Sequence, residues 1–304
     1  MEKRPSRIYL FFSLGFIFML ICAVGSFFYG LKVGTDRAEA KYDAKTAATQ
    51  QIKRVGTYPQ QDLVSFYHTV LLPYREFQNT WFEDMDQLNA GDSATDNASI
   101  VRALGKLADE QYKQANQNPI NGTSPLLQDA QTNYLKALKL FSTGASKYTS
   151  KANSIPGPLV AEQLAKDEYI KNAMNYSLKA QEQMFFAILK WSNTMNSEIP
   201  KQAVFQPKVS MTEWKSYPIA VKNLLITNIL LEKKIYQPYY PQDITTKIDQ
   251  MIQNGGTRDL NVQSIQQFVD LLQRTDAIKA NEFKKNKNRY YRNELLPQLP
   301  FFYE

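Results

Sequence analysis

The sequence predicts an all-α protein: a single N-terminal transmembrane helix, a polar stalk, an antiparallel four-helix-bundle-like ectodomain and a smaller helical C-terminal unit. Three observations predict this class. Residues 8–30 form an apolar run without a charged side chain. Residues 60–198 repeat apolar side chains at steps of three and four, the period of one helix face. No stretch alternates apolar and polar side chains as a half-buried β-strand does.

The apolar run from Ile8 to Gly30 is long enough to remain in a membrane. At 1.5 Å per residue it spans about 34 Å as a helix, against roughly 30 Å of hydrocarbon. A cleaved signal peptide has an apolar region of only about 7 to 15 residues. A small-residue site at 23–25 lies inside the run, so cleavage is the weaker alternative. We therefore expect a retained signal anchor.

Basic residues set the orientation of this anchor. Lys3, Arg4 and Arg7 precede it, whereas the charges that follow it nearly cancel. Because basic flanks stay on the cytoplasmic side, residues 1–7 should be cytoplasmic and the body extracytoplasmic. The predicted location is the cell membrane, in a single pass. Within the anchor, the small residues Cys22, Ser26 and Gly30 recur every four positions, a stripe that could allow a weak homodimer.

Composition shifts divide the remaining chain. Residues 31–59 are rich in Ala and mixed charges and predict a polar stalk. Residues 60–198 form the predicted helical bundle, residues 199–210 a proline-punctuated linker, and residues 211–304 the C-terminal helical unit with a basic and aromatic tail. Short connections between amphipathic helices favour up-down-up-down packing.

Turn signals separate four helices in the bundle. The first should run from about residue 60 to Ala90, with a kink at Pro73. The second covers about 100–115, the third ends before the turn at 153–158, and the fourth runs without interruption from near Pro158 to about Asn196. In the C-terminal unit, helices are expected at 211–234 with a kink at Pro218, then at 244–253, 264–273 and 275–292, with a hinge at 236–243.

Residue counts exclude several chemistries from the body. His68 is the sole histidine and Cys22 the sole cysteine, so no His/Cys metal site and no Cys-His nucleophile can form there. His68 lies off the apolar stripe, which favours a solvated side chain. Acidic residues concentrate at Glu83, Asp84, Asp86, Asp92 and Asp96, without the register of a calcium loop; a solvated helix end and an N-cap explain them. We predict no catalytic residue, metal or cofactor.

A formal net charge of +7 spread over 304 residues is ordinarily a matter of solubility, and the alternative is an anionic partner whose kind depends on the compartment. Outside a cell the abundant polyanions are lipid headgroups and wall polymers, so we predict no nucleic acid partner. Basic and aromatic residues meet in the C-terminal segment and form the candidate contact: Lys284, Lys285, Lys287, Arg289, Tyr290, Tyr291 and Arg292. The alternative is a solvated helix face followed by a tail folded onto its own domain.

These features favour a non-enzymatic scaffold, assembly or protein-interaction factor of the cell envelope. Two alternatives remain: an extracytoplasmic ligand-binding bundle of the sensor type, and a secreted or anchored cell-wall enzyme that uses carboxylates. A cysteine-free exterior rich in Lys, Asn and Gln is typical of a bacterial protein. Specific partner, process and oligomeric state are not determined by this sequence.

Overall fold

All regular secondary structure in the described part of the chain is helical, which confirms the all-α class. The computed structural model describes residues 56–91, 96–255 and 262–303. All of these residues belong to one compact unit, Val55–Glu304. The α-helices are α1 Gln60–Phe66, α2 Leu72–Ala90, α3 Asn97–Ala115, α4 Pro125–Ser146, α5 Gly157–Lys166, α6 Glu168–Met195, α7 Met211–Ser216, α8 Ile219–Lys233, α9 Pro241–Gln253, α10 Ile265–Arg274, α11 Glu282–Tyr290 and α12 Pro300–Tyr303.

The first predicted helix continues through its proline. A π-helical turn, Tyr67–Leu71, joins α1 to α2, and Pro73 lies in the first turn of α2. A proline lacks the backbone N–H of a regular helix, and here it directly follows the π-helical turn, in which the Leu72 N–H donates to the Tyr67 carbonyl five residues back. Gly91 ends α2 in the left-handed conformation, at φ 69°, as the sequence predicts for this position.

The prediction of one fourth helix is wrong, because the helix breaks at Asp167 into α5 and α6. Asp167 has an extended backbone, with ψ at 136°, and begins α6 as its N-cap. Its Oδ1 accepts a hydrogen bond of 2.8 Å from the backbone N–H of Tyr169, and its Oδ2 accepts one of 2.6 Å from Lys147 Nζ. The carboxylate therefore stabilises the start of the second segment at the expense of a continuous helix.

The chain from 211 to 292 also contains fewer helical residues than predicted. Tyr217 is extended before Pro218, so α7 and α8 are separate helices. Residues 275–281 are not helical, and Asp276 and Asn281 both have positive φ, at 46° and 67°. Left-handed residues cannot continue a right-handed helix, so α11 begins only at Glu282.

Two apolar cores form within the described residues. The main core lies between α2, α3, α4, α5 and α6, and it also includes the first turns of α8 and the C-terminal tail. The second core lies between α7, α8, α9 and α10. Helix α8 contributes to both cores: most of its side chains are buried, including Lys222, Asn223 and Thr227. A helix that is apolar almost all round is expected to be enclosed by other elements.

Candidate functional site

The candidate contact surface is the exposed side of α11. Lys284, Lys285, Asn288 and Arg289 are exposed, whereas Phe283 is buried and faces the interior. At about 100° per residue, the four exposed side chains lie within an arc of roughly 140°. Arg292 follows directly after the helix and is also exposed. We call Lys284, Lys285, Arg289 and Arg292 the basic face.

The apolar C-terminal tail packs against the buried side of α11. Leu296, Leu299, Phe301 and Phe302 are buried in the main core, so the apolar tail folds onto its own unit. The Phe283 ring lies 5.5 Å from that of Phe302, centroid to centroid. Both parts of the sequence alternative are therefore seen, a solvated helix face and a tail folded onto its own unit, and the exposure of the basic face is also what a surface contact requires.

The aromatic members of the candidate contact differ in position. Tyr291 is only 3% exposed, and its hydroxyl donates a hydrogen bond to Asp249, so it lies in the interior and cannot take part in a surface contact. Tyr290 is half-buried beneath the guanidinium of Arg289, which lies 5.2 Å from its ring centroid. Lys287 is half-buried with its ammonium 3.3 Å from the Tyr303 ring centroid. Both cations are held by the aromatic rings.

No member of the basic face has a carboxylate partner among the described residues. The ion pairs there join other side chains, and the nearest in sequence is Lys247 with Glu282, at 4.0 Å. Four cations that are exposed and not internally neutralised produce a local positive potential. Such a surface can attract an anionic partner.

Other predicted site residues fall outside this surface. The anchor from Ile8 to Gly30, with Cys22 and Ser26, lies outside the described residues. Among the residues that are described, no helix is both long and apolar enough to cross a membrane. His68 is exposed and touches the Tyr67 ring edge-on.

The acidic residues form no metal cluster within the described ranges. Asp96 is the N-cap of α3 and accepts a hydrogen bond of 3.0 Å from the Ser99 backbone N–H, as predicted. Asp92 lies outside those ranges. Burial, together with the neighbouring Glu83 carboxylate, raises the pKa of Asp84 to about 6.

Replacing Asp84 with asparagine should therefore stabilise the protein at pH 7.5 and have little effect at pH 4.5. A folded-state pKa above the unfolded value means that protonation favours the folded state, so Asp84 destabilises it as pH rises through about 6. Solvent screening of this half-buried group limits the gain to about 1 kcal/mol or less. Urea unfolding of both proteins at both pH values measures this difference in the free energy of unfolding. An equal effect at the two pH values would contradict the raised pKa of Asp84.

A buried ion pair was not predicted from the sequence. The carboxylate of Asp249 accepts hydrogen bonds from Lys222 Nζ at 3.0 Å, from Trp214 Nε1 at 2.7 Å and from the Tyr291 hydroxyl at 2.7 Å. All four residues are less than 9% exposed. The nearby Glu294 carboxyl has a raised pKa, chiefly because of burial. The cluster joins α7, α8, α9 and the chain after α11, which is a structural role.

The predicted hinge at 236–243 is instead docked on α2. We call residues 235–240, between α8 and α9, the crossing segment. Gln78 Nε2 donates to the Gln237 carbonyl at 2.9 Å, and Arg75 Nη2 donates to the Pro238 carbonyl at 2.6 Å. The Arg75 guanidinium also lies 4.1 Å from the Tyr240 ring centroid. The sequence contains one indication of this docking, because Arg75 and Gln78 lie one helical turn apart on α2, beside the apolar stripe that includes Tyr74.

An open groove of about 490 Å³ runs between α2 and the start of α9. Its walls include the exposed carboxylates Glu76, Glu83 and Asp86, together with Arg75 and Tyr240. Arg75 and Tyr240 also line a second, smaller cavity.

Comparison of the chain with protein-family models, with curated proteins and with solved structures gives no match.

Proposed function

We propose that this chain is a membrane-anchored, non-enzymatic helical protein whose extracytoplasmic body binds another component of the cell envelope, as a scaffold or assembly factor. In this proposal residues 1–7 are cytoplasmic and residues 8–30 are the anchor. Residues 60–198 pack as an antiparallel four-helix bundle, and residues 211–304 present the contact surface. The partner is an envelope protein or an anionic wall or lipid polymer.

The basic face of α11 is the observation that carries this proposal. Its four cations are exposed, three of them lie on one side of α11, and none has an internal carboxylate partner among the described residues. The buried Phe283 and the packed tail hold that helix in place, so the cations can meet a partner without first ordering a flexible segment. A positive surface of this kind favours rapid, salt-sensitive association with an anionic surface.

Neutralising the basic face should reduce partner capture. A photo-crosslinking residue at Asn288, on the same exposed arc, would report the partner in living cells by mass spectrometry. Replacing Lys284, Lys285 and Arg289 with glutamine should lower the crosslinked yield at least about tenfold, since each basic residue near an anionic surface contributes about 1 kcal/mol. Glutamine keeps the helix propensity, so the fold should persist.

A matched control changes the net charge equally elsewhere. Lys106, Lys151 and Lys171 are exposed on other parts of the surface, and their replacement with glutamine should leave the crosslinked yield within about twofold. Equal losses in both variants would show that net charge alone matters. Unchanged yield in the first variant would remove the basic face from the proposal.

The proposed membrane topology can be tested separately, by protease treatment of protoplasts. Protease added outside intact protoplasts should digest the body and leave a fragment of a few kilodaltons that contains residues 1–30. A cytoplasmic marker protein should survive the same treatment and disappear only after detergent lysis. Full protection of the body before lysis would show that the proposed orientation is wrong.

A further inference from the structure

A small enclosed cavity lies beneath the crossing segment. It is lined by α2, α4, α6 and the crossing segment itself, and it offers about 10 Å³ for the centre of a water-sized sphere. That is the space of a single water molecule. Any occupant of this closed form is therefore one small atom or molecule, and an organic ligand is too large.

One buried donor in this cavity has no partner. Gln237 lines the cavity and is 5% exposed, and its Nε2 makes no hydrogen bond within the described residues. Its other polar groups are used: Oε1 accepts from Gln273 Nε2 at 2.8 Å, and the carbonyl accepts from Gln78 Nε2 at 2.9 Å. The bond from Gln273 directs the side-chain oxygen of Gln237 towards that residue, and the amide nitrogen is left without a partner.

The remaining wall is polar on several sides. The hydroxyls of Tyr74 and Tyr236 lie 2.8 Å apart, and they also lie within hydrogen-bond reach of the Ser177 and Gln78 side chains, respectively. Ser177 donates to the Ala173 carbonyl at 2.9 Å and retains acceptor capacity. Burial raises the pKa of Tyr74 well above its usual value, so it keeps its proton.

Arg75 adds positive charge to the same wall. Its guanidinium is held by neutral acceptors, the Gln78 side-chain oxygen at 2.6 Å and the Pro238 carbonyl at 2.6 Å. None of the ion pairs within the described ranges involves it. Its charge also acts on the nearby Asp243 carboxyl, and on the cavity side it favours a hydrogen-bond acceptor.

We propose that this cavity is a binding site for one small hydrogen-bond acceptor, a water oxygen or a halide ion, which accepts from Gln237 Nε2 and fastens the crossing segment to α2. Water and halide share the required chemistry. Water fits the volume directly and can also donate to Ser177. A halide would add a negative charge on the cavity side of Arg75, but it is slightly larger than water, so the walls must move by a few tenths of an ångström.

Crystals of the detergent-solubilised full chain, grown in sodium chloride and in sodium bromide, test this site. We expect one density peak about 3 Å from Gln237 Nε2 in both salts. An anomalous signal from that peak in bromide identifies a halide, and a peak without the signal identifies water. Either result supports the site. An empty cavity in both salts would overturn the proposal.

Two substitutions assign the peak to Gln237. Gln237→Met removes the amide donor at similar length and should abolish the peak. Gln237→Glu keeps the oxygen that faces Gln273 and removes only the donor; it should abolish a halide peak and retain a water peak, because water can reverse and donate to the carboxylate. Gln242→Met is the matched control, since Gln242 is also fully buried but lies outside the cavity, and it should leave the peak unchanged. Persistence of the peak in Gln237→Met would show that another group holds it.

Discussion

Replacing Asp249 with alanine should lower the free energy of unfolding by about 3–5 kcal/mol, the cost of removing one partner from a buried ion pair. Lys222 is 8% exposed, so the substitution leaves its ammonium in the interior without a counter-charge. The same substitution removes the acceptor for the Trp214 indole and the Tyr291 hydroxyl. Guanidinium chloride unfolding followed by circular dichroism measures the loss.

A comparison with an exposed ion pair separates burial from charge. Lys233 and Asp270 also form an ion pair, at 2.6 Å, but their side chains are 31% and 35% exposed. Asp270→Ala should cost only about 1 kcal/mol or less, because solvent screens this pair. Similar losses for Asp249→Ala and Asp270→Ala would contradict the assignment of the large effect to burial.

The double substitution Lys222→Met with Asp249→Leu tests the same argument from the other direction. Replacing both charges with apolar side chains leaves no unpaired ion, so its cost should be much smaller than the sum of the two single losses. Trp214 and Tyr291 would still lack their acceptor, which keeps the cost above zero. Additive losses would show that the two charges do not interact.

The sequence predicted those parts of the fold that depend on local signals. Helical periodicity indicated α2, α3 and α4, and the glycine at position 91 indicated where α2 ends. Gly157 begins α5 at a contact that tolerates no side chain: a Cβ there would lie 2.4 Å from the Leu88 carbonyl oxygen. The turn signal was visible in the sequence, but the neighbour that requires glycine was not.

Features that depend on distant residues were missed. The buried cluster around Asp249 is drawn from four separate segments, which contribute Trp214, Lys222, Asp249 and Tyr291. Polar side chains in a helical pattern ordinarily indicate a helix face exposed to solvent. Only the nearly all-apolar surroundings of Lys222 on α8 could have indicated a buried charge. The basic face was predictable because it depends on one short run, whereas the burial of Tyr291 within that run depends on α9.

Phe141→Ala should lower the free energy of unfolding by about 3–5 kcal/mol, the usual cost of deleting a buried phenylalanine ring. Phe141 on α4 is 1% exposed. Its ring centroid lies 4.7 Å from that of Phe77 and 4.9 Å from that of Trp81, both on α2, and 6.0 Å from that of Tyr236 in the crossing segment. The cavity left behind would therefore open between α4, α2 and the crossing segment.

Tyr169→Ala on α6 is the control, because this aromatic side chain is 42% exposed and should cost about 1 kcal/mol or less. Chemical unfolding of both variants gives the comparison, and equal losses would contradict the central position of Phe141.

Coupling to the crossing segment can be measured by adding Tyr236→Ala to Phe141→Ala. Since the two rings contact each other, the double variant should lose less than the sum of the single losses, by about 0.5–1.5 kcal/mol. Strict additivity would show that the Phe141 and Tyr236 rings do not stabilise each other.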